Sequence, residues 1–190
     1  CMRAKMTLRP HRRRMNKKTR DDEAKKKKPK FGDNVTADHL VSKSDQSIAY
    51  NGSKYAAVIY DPGVQYLGHT AMVDHSAANC FQALKHFAGK TQVKNFWSGN
   101  CPALASAAKE IKWPHDTSTP HVSQTNGQVE RMIRLVEEGA RAILEESGVG
   151  YDLWPLAADH FCHARNINVI DGDSPWTRRH GQGRRLRGED

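Results

Sequence analysis

The sequence predicts an α/β protein in which a mixed sheet is flanked by helices and preceded by a disordered basic arm. Three observations predict it. Short apolar runs crowd residues 34–74; further runs at 93–98 and 115–119 alternate with helical apolar periodicity; two helical stretches close the chain. A strand meander followed by strands alternating with helices gives a mixed sheet, because the crossovers lay helices on its faces. The 190 residues are enough for one core with loose ends. At 37% hydrophobic residues, part of the chain is expected not to pack.

The arm comes first. Residues 1–30 hold 14 Lys and Arg against Asp21, Asp22 and Glu23, a net +11, while residues 31–190 hold 16 basic and 18 acidic groups, a net −2. Like charges at that density repel and leave nothing apolar to bury, so disorder is expected. Arg12, Arg13 and Arg14, then Lys25, Lys26, Lys27 and Lys28, are candidate nucleic-acid contacts. The second run, closed by Pro29 and Lys30, also reads as a nuclear-localisation patch or as a solvated linker. The body is not basic, which argues against a domain that grips nucleic acid across its whole face.

From Phe31 the texture changes. Asn34–Val41 (NVTADHLV) and Tyr55–Tyr60 (YAAVIY) read as strands, Asp61-Pro62-Gly63 as a turn, and Tyr66–Asp74 (YLGHTAMVD) as a third strand antiparallel to the second. Ser76 is placed to cap a helix running to about Phe87, with Cys80, Phe81, Leu84 and Phe87 on its apolar side and Gly89 closing it. Val93–Ser98 is a buried strand candidate, and residues 103–112 form an Ala-rich helix ended by Pro114. His115–Thr119 is the last short strand. Val129, Met132, Ile133, Val136, Ala140, Ile143 and Leu144 fall on one stripe of a long helix stopped by Gly148. Residues 153–166 form another helix, with Pro155 in its first turn. The Gly- and Arg-rich tail, 183–190, is expected to be loose. The order β-β-β-α-β-α-β-α-α over residues 31–182 is that of the ribonuclease H-like fold.

One segment goes further. Thr119 to Arg131 (TPHVSQTNGQVER) closely resembles the part of copia-type retrotransposon integrases where a Q-x-N-G-x-x-E-R run opens the helix bearing the catalytic glutamate. Arg141-Ala142-Ile143-Leu144, Gly148, Leu153-Trp154 and Ala157-Ala158 look like that family's next helix pair. Asp173-Ser174-Pro175-Trp176, with Arg179-His180-Gly181, looks like its closing motif. Upstream, Asp38 in Val35-Thr36-Ala37-Asp38-His39 sits where the family's first strand carries its first aspartate. Cys1, followed by basic residues, looks like the last ligand of a zinc-binding domain. A chain opening at Cys1 rather than Met is expected to be a fragment of a longer polyprotein.

The resemblance implies an integrase that processes DNA 3′ ends and transfers them into target DNA, with Mg²⁺ or Mn²⁺ as cofactor, DNA as partner, and a homo-oligomer as the working form. In such chemistry two divalent ions about 4 Å apart activate the nucleophile and neutralise the leaving oxygen. Mg²⁺ demands hard oxygen ligands, and the family supplies three carboxylates. Asp38 and Glu130 match the first and third, as catalytic and metal-binding residues; Asn126 and Arg131 of the same motif are candidate nucleic-acid contacts. The second carboxylate is missing. The family's S-D-N reads Ser98-Gly99-Asn100 here, and Gly99 has no side chain with which to bind metal. Asn100 is adjacent, but strand alternation turns its neutral amide to the other face. Sixty residues separate Asp38 from Gly99 and 30 separate Gly99 from Glu130; Asp61, Asp74 and Asp116 offer no evident replacement. Two readings follow: an integrase core with impaired catalysis, or a nucleic-acid-binding module descended from one.

Plainer readings stand beside these. Glu130 with Arg134, and Glu137 with Arg141, are (i, i+4) pairs that stabilise an exposed helix face without any function. Asp38 also reads as a hydrogen-bonded structural carboxylate. His160, Cys162 and His163 invite a zinc reading, but Cys162 points away from the two histidines, and helix packing is the stronger account. Trp97, Trp113, Trp154 and Trp176 read as core anchors, and Lys109 and Lys112 as a solvated face. Cys1, Cys80, Cys101 and Cys162 contain no CxxC pair and fit a reducing, intracellular compartment, nuclear or cytoplasmic. No stretch offers the roughly 18 to 20 apolar residues that span a bilayer, and no apolar run follows the basic N-terminus as in a secretory signal.

Overall fold

The computed structural model describes residues 29–42, 48–117 and 123–181. The first three apolar runs form β1 (Val35–Val41), β2 (Tyr55–Asp61) and β3 (Tyr66–Met72), an antiparallel meander. β2 buries Ala56 to Ile59 without a break because both of its faces are covered. α1 (Ala77–Ala88) follows; the Ser76 hydroxyl accepts from the Asn79 N–H at its start, and Gly89, at φ 60°, ends it. β4 (Phe96–Ser98) runs parallel to β1, α2 (Pro102–Ile111) crosses over, and β5 (His115–Thr117) runs parallel to β4. The strand order is therefore β3-β2-β1-β4-β5. α3 (Ser123–Ser147), a 3-10 turn at Tyr151–Leu153, α4 (Trp154–Ile167) and α5 (Pro175–His180) complete the described chain.

Helices cover both faces of the sheet. On one side Ala37, Ile59 and Phe96 pack with Leu84 and Phe87 of α1 and Leu104 of α2. On the other, Val58 and Leu67 pack with Val136 and Leu144 of α3 and Ala158 of α4. This is the expected ribonuclease H-like, mixed-sheet α/β architecture.

Three differences from the sequence reading have physical causes. The fourth strand starts at Phe96 and not Val93: Val93 is buried, but as a loop residue, and Lys94 gives its N–H to the Gly32 carbonyl at 2.8 Å, outside the ladder. β3 stops at Met72 because Asp74 turns to the next helix, accepting from the Ser76 N–H and the Asn79 amide. α5 is a helix where only a motif was legible; Ser174 caps it by accepting from the Thr177 N–H at 3.1 Å. The arm up to Lys28, the continuation of the last strand to Thr119, and the tail from 183 lie outside the described residues.

Candidate active site

β1 and β4 pair in parallel, with Val35, Thr36 and Ala37 opposite Phe96, Trp97 and Ser98. The chain leaves β1 for β2 on one side and later returns to β4 on the other. In open sheets, ligands collect beyond the carboxyl ends of strands where the connections part in this way. One residue beyond the last pair on each strand are Asp38 and Gly99, so parallel register sets them side by side at that crevice. Asp38 is half-buried, and its Oδ1 accepts from the His39 N–H at 2.8 Å. Gly99, just past the end of β4, is buried, and Asn100 is exposed.

A polar pair supports Gly99 from behind. The Ser98 hydroxyl donates to the Gly99 carbonyl at 2.9 Å and stands 2.8 Å from His115 Nε2 on β5. With the hydroxyl proton given to that carbonyl, Nε2 must carry the ring proton and donate to Ser98. Burial holds the His115 imidazole below its ordinary pKa and so favours this neutral form. On the other flank His39 Nε2 lies 3.3 Å from the Cys80 thiol. Burial lowers the His39 pKa and pushes the Cys80 thiol up to about 11, so both are neutral packing groups.

α3 packs on β1 and β2, anchored by the fully buried Val129 and Val136. Glu130, beside Val129, is exposed. The fold thus brings the helix of Glu130 onto the strand of Asp38. Among the described residues, no three His, Cys, Asp or Glu side chains form a group that holds a metal ion. Asp38 is the carboxylate that the register sets at the crevice, and Gly99 beside it offers no side chain, so these residues do not fit a two-ion centre built on three acids.

No protein-family model and no curated protein matches the chain. Solved structures do. The catalytic core domain of BIV integrase aligns with a TM-score of 0.55 at 15% identity, over 76% of this chain and 91% of that one. A chain of the simian T-cell lymphotropic virus intasome, solved in complex with PP2A regulatory subunit B56 gamma, aligns with a TM-score of 0.61 at 16% identity. That alignment covers 82% of this chain and 56% of the other, so this chain spans little more than half of that relative. The chain has the retroviral integrase catalytic-core fold.

The other candidate residues find their places on this integrase-core fold. Arg131 is exposed on α3, and Asn126 lies in that helix's first turn. Arg12, Arg13, Arg14 and Lys25 to Lys28 lie outside the described residues. Among the described residues, the acids weighed as replacements are otherwise placed: Asp61 is fully buried on backbone donors, Asp74 serves the start of α1, and Asp116 is exposed. His160 and His163 are exposed while Cys162 is buried, its thiol pushed up to about 12 by burial, so this trio is a packing feature. Trp113 is buried and Trp97 and Trp154 half-buried, but Trp176 is 40% exposed and is not a core anchor. Cys80, Cys101 and Cys162 are free thiols. Among the described residues no helix is long and apolar enough to cross a membrane.

Sequence reasoning missed the ionisable pair of His69 and Asp159. His69 Nδ1 on β3 meets Asp159 Oδ1 on α4 at 2.7 Å, with the His69 side chain fully buried. The only trace of it in the sequence is that His69 alternates with Leu67 on the strand's inner face.

Proposed function

We propose that the chain is a retrotransposon-type integrase core whose 3′-end processing and strand transfer into target DNA are impaired at Gly99. The observation that carries this reading is the register that sets Asp38 beside Gly99 at the carboxyl ends of β1 and β4. The Gln124 to Arg131 motif at the start of α3 supports it independently. Asp38 and Glu130 are the carboxylates that would hold Mg²⁺ or Mn²⁺; Gly99 leaves the set one short of three. Placing the ions is most of the catalysis in such centres, so a missing ligand costs far more than a surface change.

The deciding experiment compares the native chain, Gly99→Asp, and Gly99→Asp with Glu130→Gln in strand-transfer and disintegration assays, in Mg²⁺ and in Mn²⁺. Activity in Gly99→Asp alone is the expected result. Equal activity in the native chain overturns the assignment of position 99. Silence in all three favours a second reading, a nucleic-acid-binding module without chemistry, which the +11 arm supports. On that reading DNA affinity falls steeply with salt and disappears when residues 1–30 are removed.

A further inference from the structure

Residues 31–190 carry no net positive charge, yet the fold sorts the cations they have. They hold seven lysines, and five of these, Lys85, Lys90, Lys94, Lys109 and Lys112, are exposed at one pole of the molecule. α1 and α2 both begin at the crevice end of the sheet and run to the far end, where β1 and β4 start. Hydrogen bonds tie the segments there together. The Lys94 N–H donates to the Gly32 carbonyl at 2.8 Å, and the Gln92 amide to the Lys112 carbonyl at 3.4 Å. Residues 29–33, 85–95 and 109–114 hold six lysines, Lys30 included, against Asp33 and Glu110, a net +4. Asp33 is already paired with Lys94 at 2.6 Å.

The basic arm enters the body at the same place. Residues 1–30, net +11, lead through Pro29 and Lys30 into the pole, at the ends of β1 and β4 away from Asp38 and Gly99. A charged chain and a charged surface are thus continuous.

Lys112 is an independent sign. It closes α2 in the left-handed region, at φ 63° and ψ 37°. Glycine takes such a cap without strain, as Gly89 does at the end of α1 with φ 60°. A lysine is the poorer choice for the backbone there. A cation near a helix C-terminus also offsets the helix dipole, but Lys109 in the last turn already supplies one.

We propose that this pole is a docking surface for duplex DNA, on which Lys90, Lys109 and Lys112 neutralise backbone phosphates. The arm supplies most of the attraction and the pole seats it; three lysines alone are too few to hold DNA at physiological salt. Lysines on an open surface meet phosphates and not base edges, so the contact positions the duplex without reading its sequence. The surface shares no residue with the crevice of Asp38 and Gly99. It rests on the DNA partnership of the proposed function and not on its chemistry.

The test follows binding of the full chain to a fluorescent DNA duplex across a salt series. Each neutralised phosphate contributes about 0.9 to the slope of log affinity against log salt. Lys90→Gln with Lys109→Gln is therefore expected to lower the slope by about 2. Lys112→Gly should lower it by about 1 and raise the melting temperature, because it removes the charge and relieves the backbone. Should Lys112→Gly prove less stable than the native chain, the double variant alone decides. Arg141→Gln, an exposed cation on α3 at the other face of the sheet, should leave the slope unchanged. Native binding with an unchanged slope in the double variant overturns this proposal alone. So does an equal drop per charge in Arg141→Gln, since net charge would then govern binding. Tighter binding of an RNA duplex overturns it as well. A native chain that leaves the DNA duplex unbound overturns it together with the partnership on which it rests.

Discussion

Asn166 on α4 holds both backbone groups of Leu67 on β3: its Oδ1 accepts the Leu67 N–H at 3.0 Å, and its Nδ2 donates to the Leu67 carbonyl at 2.7 Å. β3 is an edge strand, and an exposed edge invites pairing with foreign chains. Here one buried side-chain amide does what a neighbouring strand would do. Arg165 extends the cover by donating to the Gln65 carbonyl at 2.8 Å.

Asn166→Ala leaves a buried N–H and a buried carbonyl without partners. The expected loss is about 2–3 kcal/mol of unfolding free energy, measured by urea denaturation. The Leu67 amide should also lose hydrogen-exchange protection beyond that general loss. An amide as protected as before would show that the edge is satisfied in another way.

Gly139→Ala reverses a common rule. In a helix interior this change ordinarily gains about 1 kcal/mol. At Gly139, a Cβ would run into the ring of Phe161, where α3 and α4 cross. We expect a net loss of about 1–3 kcal/mol, read as a lower melting temperature. A second change, Phe161→Leu, should recover part of it; no recovery would place the strain elsewhere.

Asp61 ties the chain before β1 to the β2–β3 turn. Its Oδ2 accepts from Gly32 at 2.7 Å and its Oδ1 from Gly63 at 2.8 Å and Val64 at 3.2 Å. Asp61→Ala strips three backbone donors of their acceptor and is expected to cost about 3 kcal/mol or more. Asp61→Asn keeps one oxygen but turns an NH₂ toward one of the donors, so its stability should fall between the two. An alanine variant as stable as the asparagine one would count against this account.

His115 gives the chain a pH dependence of defined sign. Burial holds its pKa below 6.5, so the unfolded chain takes up this proton more readily than the folded one. Its contribution to stability is whole above 6.5 and is lost as pH falls through the lower folded value. His39 is shifted in the same direction, so His115→Gln should lessen the acid-side fall in melting temperature without abolishing it. A pH profile identical to the native one would contradict this assignment.

The motif Gln124 to Arg131, the charged arm, and the strand and helix periods were legible because each is a local property of the chain. A strand alternates every second residue and a helix returns every third or fourth, so five strands and the long helices could be read from apolar spacing. Gly99 was legible for the same reason: an absent side chain shows in the sequence. Its place beside Asp38 followed only once the β1–β4 register was fixed, since a slip of one residue would turn either to the opposite face.

What the sequence by itself determined, then, is the order and kind of the elements and the lack of a side chain at position 99. Tertiary structure alone decided the partnerships across long stretches of chain. Asn166 meets Leu67, Asp159 meets His69, and Phe161 closes on Gly139. The first two depend on polar side chains that apolar periodicity assigns to the surface, and the third on a glycine with no period of its own. Whether such a group is buried, and against what, depends on how sheet and helices stack, and no local spacing records it.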